Sequence, residues 1–130
     1  MPSHRETIVA PDAPAAIGPY SHAVAAAGLL FCSGQIHVDP KSGELSGTTA
    51  AEQTRRCLEN LALVCAAAGV TLANAVKVTV YLTDLGAFAE VNAAYAEFFP
   101  NDPPARVAIE VSGLPKGAQV EIDAVVALDD

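Results

Sequence analysis

Two runs near the C-terminal end alternate apolar and polar residues, and they constrain the fold more than any other stretch. The prolines Pro103 and Pro104 stop whatever element precedes them. Residues 106–111 follow, and residues 120–128 repeat the pattern after the connection 112–119. A period of two is that of a strand, whose side chains alternate faces. Val107, Ile109 and Val111 then share one face of the first strand, with Arg106, Ala108 and Glu110 opposite. In the second, Val120, Ile122, Ala124, Val126 and Leu128 form the apolar face, with Glu121 and Asp123 on the other. As neighbours, these strands turn two charged faces the same way beside a core. Charge is rarely left unpaired there, so it is either compensated or put to use.

The rest of the chain supplies the partners for such a sheet. Residues 5–9 predict a short first strand, and the loop around Pro11 and Pro14 lacks backbone donors. After Pro19 and Tyr20 comes an extended run, 21–26, which Gly28 turns into Leu29-Leu30-Phe31-Cys32-Ser33 as a hairpin. Gly34 at its end permits close approach to the backbone. Residues 39–43 form a turn. Thr49 and Glu52 make a capping box. The helix they open carries Cys57, Leu58, Leu61, Val64, Cys65 and Ala68 on its apolar side, and Gly69 closes it. Glu52, Arg55, Arg56 and Glu59 form the solvated side, with Glu52 and Arg56 spaced to pair. Residues 75–82 predict a strand with Val76, Val78, Val80 and Leu82 facing one way and Lys77, Thr79 and Tyr81 the other. Asp84 caps a second helix that runs to about Phe98 and carries the stripe Phe88, Val91, Tyr95, Phe98 and Phe99. Asn92 lies along that stripe. Its amide needs a partner, either a neighbouring backbone group or part of a binding site that it holds. The order hairpin, helix, strand, helix, two strands predicts one α+β domain over residues 1–130, with two helices on one face of a mixed, mostly antiparallel sheet.

Composition narrows the function. The sequence is 52% hydrophobic and 17% charged, which excludes general disorder. Alanine dominates the apolar set, so each side chain buries little area, and a second copy of the chain is expected to cover part of the surface. The net charge of −8, with no Lys/Arg cluster, argues against a nucleic-acid partner. No stretch approaches the roughly 20 apolar residues of a membrane span, and the polar first ten residues show no signal-peptide core. Cys32, Cys57 and Cys65 are an odd set without metal-ligand spacing, read as buried thiols of a reducing cytosol. His4, His22 and His37 fit no metal motif, and no sequence pattern supplies a base for Ser33 as a nucleophile.

One arginine and a few carboxylates remain. Arginine offers a carboxylate two parallel hydrogen bonds and keeps its charge. Arg106 is thus either an anion ligand or a strand-end residue paired with Glu110, Glu121 or Asp123. Glu121 is either a group that orients a water and accepts a proton or a surface or interface carboxylate.

Pro104-Ala105-Arg106, then Ile109, Leu114 and Val120-Glu121-Ile122, resemble the signature of the Rid family, the reactive-intermediate (enamine/imine) deaminases also called YjgF-type proteins. Residues 13–20, Ser33-Gly34-Gln35-Ile36 and Phe88-Ala89-Glu90-Val91-Asn92 resemble its other motifs, so the similarity spans nearly the whole chain. The resemblance implies a chorismate-mutase-like two-layer sandwich and a homotrimer whose sheets enclose a central barrel, with ligand clefts between subunits. It implies hydrolysis of 2-imino acids or their 2-aminoacrylate-type enamine tautomers to 2-keto acids and ammonia, without a cofactor. Carried across, Arg106 holds the substrate carboxylate and Glu121 positions the attacking water. Tyr20 and Asn92 shape the cleft, with Ser33 and backbone groups near Gly34 and Ala108 contacting the ligand. Many archetypal members carry cysteine at the place of Ala108, so a thiol-dependent property is not expected there. A non-catalytic sensor or binding module for small carboxylates is the competing reading. RNA cleavage, attached to relatives, conflicts with the charge.

Overall fold

The computed structural model describes residues 4–128. Of the polar N-terminal stretch, Met1, Pro2 and Ser3 lie outside the described residues. The strands are β1 (Arg5–Ile8), β2 (Ala23–Ala26), β3 (Leu29–Gln35), β4 (Ala75–Leu82), β5 (Ala105–Glu110) and β6 (Val120–Ala127), and the helices are α1 (Ala50–Ala67) and α2 (Phe88–Ala96). The strands form one sheet in the order β1-β2-β3-β6-β4-β5. Every pairing is antiparallel except β4 with β5. That parallel pair is joined through α2, since a parallel return needs a crossover rather than a tight turn. Both helices cover the same face. Leu30, Val78, Val80, Leu82, Val120, Ile122 and Val126 from the sheet are buried against Leu58, Leu61, Val64, Val91 and Phe99. The predicted α+β arrangement is the observed one.

Local chemistry explains the element ends. Thr49 caps α1: the Glu52 amide donates to its Oγ1 at 3.1 Å, and Glu52 Oε1 accepts from the Thr48 and Thr49 amides at 2.9 and 3.1 Å. Those bonds hold the Glu52 carboxyl below the usual carboxylate range and take it away from Arg56, the partner expected from spacing. Arg56 instead pairs with Glu59 at 3.4 Å, and Arg55 makes a two-pronged contact with Glu97 just beyond α2, at 3.0 and 2.9 Å. At the far end Val70 donates to the Cys65 carbonyl and Gly69, at φ 79°, to that of Ala66, the double bond of a left-handed helix stop. Ala27 and Gly28, both at positive φ, turn the β2–β3 hairpin.

Three expectations are corrected. Val76 does not join the apolar face of its strand; the ladder slips between Ala75 and Lys77, and the side chain is exposed. Asp84 caps a 3₁₀ turn, Leu85–Ala87, rather than α2 itself, which ends at Ala96. The third concerns the two charged faces. β4 lies between β5 and β6, and its register aligns Val78 with both Arg106 and Ala124, and Tyr81 with both Ile109 and Glu121. Residues aligned across a sheet share a face, so Arg106 points to the helices while Glu121 and Asp123 point away. The open face also carries Phe31, Val107 and Ile109, which are 45%, 40% and 41% exposed.

His22 fastens the loop that leads to Tyr20. Its Nδ1 accepts from the Ala10 amide at 3.1 Å, so Nε2 carries the proton and donates to the Pro14 carbonyl at 2.8 Å. His22→Ala leaves both backbone groups unpaired in the interior and is expected to cost about 2 kcal/mol in urea denaturation.

Candidate functional site

Arg106 stands near the start of the outermost strand, half-buried against α2. Its Nη1 donates to Asn92 Oδ1 at 2.8 Å. Its Cζ lies 5.4 Å from the centre of the Phe88 ring and 4.8 Å from that of Tyr95. Glu110, the carboxylate on the same strand face, is engaged elsewhere and accepts from the Leu85 amide at 2.9 Å. Arg106 takes part in no ion pair among the described residues. The reading of Arg106 as a strand-end partner of Glu110, Glu121 or Asp123 is therefore not what the fold builds, and the backbone reading of Asn92 gives way to a bond with the guanidinium.

Glu121 lies on the other face, at a cavity of about 510 Å³ whose lining includes Ile17, Tyr20, Ser33, Gly34, Val38 and Lys116. The cavity exists because β3 bulges. Cys32 pairs with Ala124 and Gln35 with Ile122, so Ser33 and Gly34 together oppose the single Asp123. The bulge brings the backbone of Gly34 against the Glu121 carboxyl. A Cβ there would sit 3.0 Å from Glu121 Cδ and closer still to Oε2. Ser33 Oγ donates to the Ser21 carbonyl at 2.6 Å, which commits it to the hairpin. Asn60, buried in α1, donates to the Ile36 and Val38 carbonyls at 3.2 and 2.9 Å and fixes the wall beyond the strand. Gln119, two residues before Glu121, ties the start of β6 to α1 and the residue before its cap. Its amide donates to Gln53 Oε1 at 2.8 Å and its side chain to the Thr48 carbonyl at 2.9 Å.

Burial, and then the neighbouring Asp123, push the Glu121 carboxyl above the usual carboxylate range. Asp123 itself accepts from the Tyr81 hydroxyl at 2.8 Å, the bond that raises Tyr81 most. Among the described residues no group of three His, Cys, Asp or Glu side chains is arranged to hold a metal ion. The set presents instead a carboxylate disposed to hold a proton, beside an open space, and a guanidinium with donors to spare.

Residues 10–128 match the model of the family described as Endoribonuclease L-PSP. The chain belongs to the endoribonuclease L-PSP family. It is 51% identical to the RutC family protein y4sK of Sinorhizobium fredii, over 95% of this chain and 98% of that one. It is 44% identical to the human 2-iminobutanoate/2-iminopropanoate deaminase, over 93% of this chain and 88% of that one. Among solved structures, Escherichia coli TdcF with bound serine superposes with a TM-score of 0.89 at 36% identity, covering 95% of this chain and 99% of that one.

Within this endoribonuclease L-PSP fold the residues singled out from the sequence fall into two groups. Tyr20, Ser33, Gly34 and Glu121 line the cavity on the open face. Asn92 and Arg106 meet on the helix-covered face, where Ala108 also points, packed against the core. A single chain does not bring Arg106 and Glu121 to one place. Sequence reasoning assigned Phe88 and Tyr95 to the core stripe only, although their i, i+4 and i+7 relation with Asn92 already aligned all three. Lys116 was unmarked. It lies in a 3₁₀ turn at φ 57°, a conformation with no one-dimensional signature outside glycine.

Proposed function

We propose that the protein hydrolyses small 2-imino acids and their enamine tautomers to 2-keto acids and ammonia. The observation that carries this reading is Arg106, a guanidinium fixed by Asn92 yet bound to no carboxylate among the described residues. It has the donors that a small organic anion requires. The names of the human and bovine relatives, both 44% identical, support the same chemistry.

Because the two groups lie on opposite faces of one sheet, the proposal includes an assembly. A homotrimer buries the open sheet faces, with Phe31, Val107 and Ile109 inward, as a central barrel. The Arg106 edge of one subunit then closes the Glu121 cavity of the next. In that cleft the guanidinium anchors the carboxylate and Glu121 accepts a proton as water adds to C2. Glu121 returns that proton to the nitrogen of the resulting carbinolamine, and as the hydroxyl gives up its proton to solvent the carbonyl forms and ammonia leaves. The iminium carbon is already electrophilic, so positioning supplies most of the effect. Glu121 is the proposed base and Arg106 the anchor. Tyr20, Ser33, Gly34, Asn92 and Ala108 are the proposed surroundings.

The test is a coupled assay in which a threonine dehydratase generates the imine and semicarbazide competes for it. Accelerated release of ammonia and 2-oxobutanoate is the expected result. Calorimetric binding of 2-oxobutanoate with no acceleration favours a carboxylate-binding module, a reading that serine bound to TdcF also supports. RNA cleavage, which the family's description names, is disfavoured by the net charge of −8. Gly34→Ala provides a sharper check, since the new methyl group displaces Glu121. It is expected to slow turnover by roughly tenfold or more, with the fold intact by circular dichroism.

A further inference from the structure

We propose that Phe88 and Tyr95 are positioning residues whose rings hold the Arg106 guanidinium in the place and plane from which it grips a substrate carboxylate. The inference rests on the reading of Arg106 as the substrate anchor. Residues 88, 92 and 95 are spaced i, i+4 and i+7, so one stripe of α2 presents ring, amide, ring. All three meet the same guanidinium. Cζ lies 5.4 Å from one ring centre and 4.8 Å from the other, within the reach of a cation–π contact. The Asn92 oxygen takes one hydrogen from Nη1 at 2.8 Å.

The arrangement leaves the useful donors free. Rings contact the guanidinium through its faces or flank and consume no N–H, so Nε and Nη2 keep theirs without a partner among the described residues. A salt bridge in the same place would fix the side chain and neutralise it as well. Arg106 needs such support because β5 is the edge of the sheet, and a long side chain there otherwise samples many rotamers. An anchor ordered beforehand loses less freedom when the anion arrives.

Tyr95 is itself fixed. It is 5% exposed, and its ring lies 4.7 Å from that of Phe99. Among the described residues its buried hydroxyl has no hydrogen-bond partner, Arg106 included. The ring, not the hydroxyl, is therefore the part that serves Arg106. A core role alone does not account for two aromatic residues and an amide on one helix stripe converging on one cation.

The experiment compares the wild type with Arg106→Ala, Tyr95→Leu, Tyr95→Phe and Phe88→Leu. Calorimetry uses 2-oxobutanoate and its uncharged amide, and the imine assay supplies KM and kcat. Tyr95→Leu is expected to weaken 2-oxobutanoate by roughly three- to thirtyfold, to leave the amide unchanged and to raise KM more than it lowers kcat. Tyr95→Phe is expected to match the wild type. The Arg106 Nε–H resonance, shielded by the rings, shifts in Tyr95→Leu and stays in place in Tyr95→Phe. Phe88, at the surface, carries the same test if the Tyr95→Leu chain fails to fold. Wild-type binding of 2-oxobutanoate by both leucine variants, beside its loss in Arg106→Ala, overturns the positioning role and leaves the anchor intact. Wild-type binding by Arg106→Ala overturns the anchor itself. Equal losses in Tyr95→Phe and Tyr95→Leu assign the effect to the hydroxyl and overturn the role of the ring.

Discussion

Arg106→Ala is expected to lower kcat/KM for imine hydrolysis by about a thousandfold, with the chain folded and assembled as in the wild type. Removing one partner of a desolvated, hydrogen-bonded charge pair costs about 2 to 5 kcal/mol, and a thousandfold, about 4 kcal/mol, lies in the upper half of that range. The fold is spared because, among the described residues, Arg106 makes no ion pair and its one hydrogen bond goes to an exposed amide. Asn92 is left facing water, which satisfies it. Stability is therefore expected within about 1 kcal/mol of the wild type. Lysine in the same place keeps the charge but not the planar fork, and its point charge does not fit a two-pronged carboxylate. Arg106→Lys should recover only a small part of the loss. The rate is read as ammonia released from imine formed in situ. A wild-type rate in Arg106→Ala would remove the anchor from the mechanism, whatever the oligomeric state.

The sequence carried the strand and helix identities because each had a local cause. Alternation over Ala75–Leu82 and 120–128, the Thr49–Glu52 box and the Gly69 stop act within a few residues of one another, and each survives in the fold. What escaped was non-local. Alternation assigns two faces to each strand but not the neighbour beside it, so the insertion of β4 between β5 and β6 could not be read. That insertion, with its register, separates Arg106 from Glu121 by the thickness of the sheet. The apolar run of β5 misled for a related reason. Val107 and Ile109 have the composition of a core face but lie on the open one, while Arg106 and Ala108 face the helices. The proposed site was legible as candidate residue types, Arg106, Asn92, Gly34 and Glu121, but their arrangement in space was not. The β3 bulge that presses Gly34 on Glu121 depends on a slip of one residue against β6.

Glu121→Gln is expected to lower kcat by about a hundredfold while leaving the affinity for 2-oxobutanoate nearly intact, since general-base catalysis contributes about 10²–10⁴. Glutamine keeps the shape that fits against Gly34 but has no carboxylate to take a proton from water. The pH dependence makes the test sharper. A base works only when deprotonated, so activity falls as pH drops through its titration. Burial and Asp123 raise that titration, and in the profile of kcat, where the bound carboxylate offsets the Arg106 charge, the acid limb of the wild type is expected above the ordinary carboxylate range. Asp123→Asn removes the charge and keeps an oxygen for the Tyr81 hydroxyl, and it should move the limb to lower pH. Glu121→Gln should abolish it. Stability follows the opposite course. The folded chain binds the Glu121 proton more tightly than the unfolded chain does, so this group favours folding at low pH, and its contribution disappears as pH rises through the folded value. Acid therefore slows the reaction in the same range in which it helps Glu121 hold the fold, and lost activity there cannot be ascribed to unfolding driven by this group. Equal loss of binding and turnover in Glu121→Gln would make the carboxyl a structural support for the cavity wall. An acid limb unchanged in that variant would assign the base to another group.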